Sequence, residues 1–137
     1  MIRLLLTTLT LVVSLTLSAQ QTDPRLEEPK APEMEFAETV MGIGELSVSR
    51  KEKRKVTFTF INKGDAPLRI ISAETSCGCT TATYRRKNVK PGKKGKIFVT
   101  VDASLSEARG AFGYLVTIIN NTPQHYTRLR VTGKFIE

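Results

Sequence analysis

The sequence predicts an all-β chain: an immunoglobulin-like antiparallel β-sandwich of about seven strands. Three observations carry this. Apolar residues recur with period two, most cleanly in Val56-Thr57-Phe58-Thr59-Phe60 and in Ile97, Val99 and Val101, which marks half-buried strands. Turn-forming clusters separate these runs by roughly 8 to 12 residues, the spacing of sandwiches. No long segment repeats its apolar residues at helical spacing. A small antiparallel barrel is the structural alternative.

The elements follow in order. Met1-Ile2-Arg3 precedes an uncharged run from Leu4 to Leu17, the small residue Ala19, and then polar residues. One positive charge, a short apolar stretch and a small-residue exit predict a signal peptide over 1–19, cleaved after Ala19. The run falls short of the about 20 residues of a membrane span. The product is therefore expected to be periplasmic or secreted, and not membrane-spanning once cleaved. Residues 20–33 contain Pro24, Pro29 and Pro32 and few apolar side chains, so they read as a flexible acidic arm. The sandwich domain is placed at 34–137.

Within it, Met34 to Val40 reads as a first strand, broken by Gly42 and Gly44, with a short strand from Glu45 to Ser49. Arg50 to Lys55 is almost all charge and reads as a turn. Val56 to Phe60 is a strand, and Asn62-Lys63-Gly64-Asp65-Ala66-Pro67 is a turn by composition. Leu68 and Ile70 open the next strand, whose apolar phase then slips to Ile71 and Ala73, which predicts a bulge. Thr80 to Arg86 is an edge strand, Pro91-Gly92 a turn, and Ile97 to Val101 a strand. Phe112 to Ile119 is apolar on both faces, which predicts a central strand covered on both sides. Asn120-Asn121-Thr122-Pro123 turns the chain. Tyr126 to Phe135 closes it, with Leu129, Val131 and Phe135 inward and Arg128 and Arg130 outward.

Charge is unevenly placed. Residues 20–45 carry seven acids against two bases, and residues 46–137 carry 18 bases against 6 acids. Such a basic body attracts anionic surfaces weakly through its field. The clusters Arg50, Lys51, Lys53, Arg54, Lys55 and Lys90, Lys93, Lys94, Lys96 lack interleaved aromatics, so no specific nucleic-acid binding is expected. Lysines that keep sheet edges apart are the simpler account.

The chain has two cysteines, Cys77 and Cys79, within Ser76-Cys77-Gly78-Cys79-Thr80. In an extended strand their Cα atoms would be roughly 6.5 Å apart, at the upper edge of disulfide geometry. Gly78 lets the backbone bend. Three readings stay open. The pair forms a local disulfide or two quiet thiols. It binds a soft metal such as Cu(I) or zinc, with His125, Met34 and Met41 as the other conceivable donors. Or it exchanges thiol for disulfide, with Arg85, Arg86 and Lys87 lowering a thiol pKa. Redox pairs usually have Cys-x-x-Cys spacing on a βαβ scaffold, which is absent. There is no phosphate loop, carboxylate pair or nucleophile elbow, and His125 is the only histidine. No catalytic residue and no cofactor is therefore expected, and the chain is expected not to be an enzyme. Asn120-Asn121-Thr122 matches a glycosylation acceptor and is read as an unmodified turn.

Taken together, Phe58-x-Phe60-x-Asn62-x-Gly64, Pro67-Leu68-x-Ile70, Ser76-Cys77-Gly78-Cys79-Thr80, Pro91-Gly92, Gly110-x-Phe112 and Gly133 resemble the bacterial family called domain of unknown function 1573. The resemblance covers about 100 residues, almost the whole expected mature chain. It implies an exported Ig-like module similar to PapD-like and major-sperm-protein-like sandwiches, of the kind common in Bacteroidetes-type bacteria. It implies no activity. One departure is Met41-Gly42-Ile43-Gly44, which stands where a Phe-Gly turn is expected. The expected function is a non-enzymatic binding or structural module of the cell envelope, with an envelope protein or glycan as partner. The alternative is a copper-binding or thiol–disulfide protein centred on Cys77 and Cys79.

Overall fold

The computed structural model describes residues 30–137. The expected signal peptide and residues 20–29 of the arm lie outside the described residues. Eight strands are formed: β1 (Met34–Phe36), β2 (Val40–Ser47), β3 (Lys53–Asn62), β4 (Ile70–Thr75), β5 (Thr80–Tyr84), β6 (Lys94–Asp102), β7 (Gly110–Asn120) and β8 (Tyr126–Ile136). They make two four-stranded sheets, β1-β3-β6-β5 and β2-β8-β7-β4. This is the sandwich that the period-two pattern predicts. Its core lies between the sheets. Phe58 and Phe60 of β3 and Ile97, Val99 and Val101 of β6 face Val116 and Ile118 of β7 and Leu129, Val131 and Phe135 of β8, all buried.

Several elements differ from the sequence reading. Met34 to Val40 is not one strand. After Phe36 the chain leaves β3 and crosses to the other sheet, where Val40–Ser47 runs parallel to β8. Gly42 and Gly44 do not break this strand. The register shifts between Gly42 and Glu45, and Gly44 takes the positive φ of 75° that only glycine adopts without strain. Lys53–Lys55 belongs to β3 rather than to a turn. Because β1 pairs only with Phe60–Asn62, the outer edge of β3 at these residues is open among the described residues, and lysines there discourage unwanted pairing.

The bulge in β4 is present, with a register shift between Ile70 and Ser72. However, Ile70 and Ala73 pack on the core, while Ile71 points out and is 54% exposed. β7 is central, between β8 and β4. Among the described residues no third layer covers its outer face; Leu115 and Ile119 are half-buried there.

The end of the expected arm is tied down. Ala31 N–H donates to Asp65 Oδ1 at 2.8 Å, Asp65 N–H donates to Ala31 O at 3.1 Å, and Lys63 N–H donates to Glu33 O at 3.0 Å. Pro32 is buried. Residues 30–33 thus belong to the folded body, because the turn after β3 supplies partners for their backbone groups.

Candidate functional site

The strand registers sort the loops onto two ends. β3 finishes at Asn62 opposite the start of β6, β5 finishes at Tyr84 opposite Ile97, and β4 starts at Ile70 opposite Asn120. The connections 63–69, 85–93 and 121–125 therefore share one end. Residues 48–52, the cysteines and the segment 103–109 share the other.

At this second end Cys77 and Cys79 are joined in a disulfide, with Cα atoms 5.2 Å apart. They form the turn by which the chain passes from the edge of one sheet, β4, to the edge of the other, β5. Thr75 Oγ1 donates to Cys77 O and Thr80 O at 3.2 and 2.9 Å. Thr80 N–H donates to Cys77 O at 3.0 Å and Asp102 N–H to Cys79 O at 2.8 Å. Leu115 N–H donates to Ser76 Oγ at 2.9 Å. Cys79 is buried and Cys77 is half-buried. Nearby, Asp102 accepts from Lys53 Nζ at 2.7 Å and from Ser104 Oγ at 2.6 Å. These two hydrogen bonds, Lys53 first, hold its carboxyl below the usual carboxylate range.

The other residues considered with the cysteines are elsewhere. Arg85, Arg86 and Lys87 follow the far end of β5, whose five residues separate them from Cys79 by roughly 20 Å at about 3.3 Å per residue. They are too distant to tune a thiol at physiological ionic strength. His125 and Met34 also lie at the opposite end. His125 sits in the turn before β8 with φ 65°, its N–H bonded to Thr122 O and its carbonyl to Asn120 N–H. The donors considered for a soft metal are thus not brought together. Asn120 is buried, donating to Ile118 O and accepting from Thr122 N–H, so burial removes it as a glycosylation acceptor.

Because so short a loop is cross-linked, opening the disulfide should cost little. We expect tris(2-carboxyethyl)phosphine to lower the melting temperature by less than about 5 °C. A thermal melt with and without reductant checks this.

The first end carries a cleft of about 990 Å³. It exists because β5 leaves the sheet after Tyr84 and the connection 85–93 swings across to the other sheet. There Leu68 and Val89 exchange backbone hydrogen bonds at 2.8 and 2.9 Å. Phe60, Ile70, Val89 and Phe98 give the cleft its apolar surface. Arg85, Arg86, Lys87, Lys90, Lys93, Lys94 and Lys96 line it with seven cations and no carboxylate. None of the seven is in an ion pair among the described residues.

Asn62 fixes the walls. It is fully buried, and its Nδ2 donates to Ala66 O and Val89 O at 2.8 and 2.9 Å. Its Oδ1 accepts from Gly64 N–H and Glu33 N–H at 3.0 and 3.2 Å. One amide thus ties the arm, the 63–67 turn and the 85–93 connection together. At the floor, Phe60 covers Gly95 so closely that a Cβ there would lie 2.2 Å from Phe60 Cζ.

Sequence reasoning missed this site. The signal was available: Arg85–Lys87 and Lys90 precede Pro91-Gly92 and Lys93, Lys94 and Lys96 follow it, so a turn there folds one set against the other.

A search of curated proteins found no match to the chain. Among solved structures, a protein of unknown function from Porphyromonas gingivalis W83 is similar at 28% identity and a TM-score of 0.68, covering 77% of this chain. The match spans 47%, about half, of that protein. The ASH/PapD-like domain 7 of human CEP192 is similar in fold, with a TM-score of 0.62 at 11% identity over 80% of this chain and 89% of that one. The YadV chaperone is similar at a TM-score of 0.55 and 17% identity, over 76% of this chain and 52% of that one. The architecture is therefore PapD-like. A family model described as "Protein of unknown function (DUF1573)" matches residues 34–135, so the chain belongs to that family.

Proposed function

We propose that the chain is an exported, non-enzymatic binding module of the bacterial cell envelope, and that the basic cleft is where it binds an anionic partner. The observation that carries this is the lining itself: seven cations without a carboxylate, over an apolar floor. Clustered like charge destabilises the folded chain by self-repulsion, and it is offset when an anion binds. A concave site with apolar surface and convergent polar groups is the usual form of a binding pocket. The likeness to a chaperone fold supports a protein-binding role, and the leader-like residues 1–19 support export. The disulfide supports an oxidising compartment.

Two measurements test this. Fractionation of the native cells is expected to place the chain in the envelope, with its N-terminus at Gln20. Immobilised poly-L-glutamate is expected to retain the chain at low salt, and the variant Arg85→Glu/Arg86→Glu/Lys87→Glu is expected to lose most of that retention. A cytoplasmic chain that still carries Met1 contradicts export. Equal retention of variant and parent contradicts the cleft.

A further inference from the structure

The cleft contains more than charge. The backbone groups of an antiparallel strand turn alternately to its two sides. Asp102 N–H bonds to Cys79 O on the β5 side, whereas Lys93 O accepts from Asn62 N–H on the β3 side. The pairings of β6 with β3 and β5 contain no register shift. Residues 100, 98, 96 and 94 therefore turn their N–H and C=O toward β5. The last pair of that ladder is Tyr84 with Ile97. Arg85 N–H still faces Lys96 O beside that last pair, but Lys96 N–H and both backbone groups of Lys94 face the cleft with no strand opposite among the described residues, which is the unpaired edge that accepts an added strand.

Their side chains lie on the outer face, because Ile97 is buried inward and Gly95 lies inward under Phe60. A strand laid here would alternate in the same way. Residues beside Lys94 and Lys96 are matched by carboxylates, since opposite charges pair favourably across strands. The intervening residues face Phe60, Ile70 and Val89 and are matched by apolar side chains. We propose that the free start of β6 takes up an extended peptide in which acidic and apolar residues alternate, as an added strand in the cleft. A membrane surface fits less well. The site is concave, and none of the large exposed hydrophobics, Val40, Ile71, Leu105 and Tyr126, lines it. This inference rests on the cleft being the binding site.

The test uses fluorescein-labelled octapeptides and the purified full chain, read by anisotropy. One peptide alternates Glu and Val; a second has the same composition in two blocks; a third alternates Lys and Val. The alternating acidic peptide is expected to bind about tenfold more tightly than the block peptide, and the lysine peptide not at all. Lys96→Pro deletes an N–H that faces only the cleft. It is expected to weaken the alternating peptide about tenfold more than Lys96→Ala does. Equal affinity for the alternating and block peptides overturns the inference, as does equal binding by folded Lys96→Pro and Lys96→Ala. So does binding of phosphatidylglycerol vesicles without binding of either acidic peptide. Should Lys96→Pro fail to fold, the comparison of peptides on the parent chain decides. Retention on poly-L-glutamate with no preference for alternation leaves the cleft as the site and removes only the added strand. Loss of both removes the cleft as well.

Discussion

Replacing Asn62 by alanine is expected to lower the unfolding free energy by about 3 kcal/mol. Its amide makes four hydrogen bonds from a fully buried position. Removing it does not affect its partners equally. Val89 O keeps a donor in Leu68 N–H, but the side-chain acceptor of Gly64 N–H and Glu33 N–H is gone. These two donors are only part-buried, so each costs toward the lower end of the about 1–3 kcal/mol of a buried donor left without an acceptor, and Ala66 O loses its side-chain donor as well. Native domains are stable by only about 5–15 kcal/mol, so the loss is a large share. In a domain of this size it corresponds to a fall in melting temperature of roughly 15 °C. The same variant should weaken anion binding, because the 85–93 connection loses its tie to β3. Thermal melts and poly-L-glutamate retention read the two effects. A change below about 1 kcal/mol would mean that Asn62 does not organise this end of the sandwich.

Gly95→Val is expected to cost about 2–3 kcal/mol, the scale of overpacking a filled core. Its Cβ would occupy space held by Phe60 Cζ, and Phe60 is 2% exposed with Phe36 against it at 5.5 Å between ring centroids. The ring must leave its place, which also changes the cleft floor. Trimming the ring makes room, so Phe60→Leu should partly rescue Gly95→Val. The double variant should be more stable than the sum of the single costs predicts. Denaturant unfolding of the four proteins measures the coupling. Additive costs would show that the ring and the glycine do not share that space.

Much of the sandwich was legible because period two is a local property. Phe58, Phe60, Ile97, Val99, Val101, Leu129 and Val131 all face inward as their alternation predicts. The errors fall where the partner of a strand decides. Nothing local says that the chain after Phe36 changes sheets, or that Gly44 absorbs a register shift rather than ending a strand. Ile71 shows the same limit: the bulge was readable, but not which residues it turns inward. At the cysteines, the spacing allowed a short disulfide turn but left free thiols, a soft-metal site and thiol exchange open. It could not show that Arg85–Lys87 and His125 lie at the far end, since that follows from how β5 pairs with β6 and β8 with β7. The cleft was hidden for a related reason. Its cations come from both sides of a turn, and its floor comes from β3, β4 and β6.

On the proposed function, anions bind at the end of the sandwich opposite the disulfide. The most direct test is an amide NMR titration of the isotopically labelled chain with poly-L-glutamate. The largest shift changes are expected at Arg85–Lys96, excluding Pro91, with Cys77–Thr80 and Asp102–Leu105 unmoved. Changes centred on the disulfide end, or spread evenly over Arg50–Lys55, Arg128 and Arg130 as well, would contradict it.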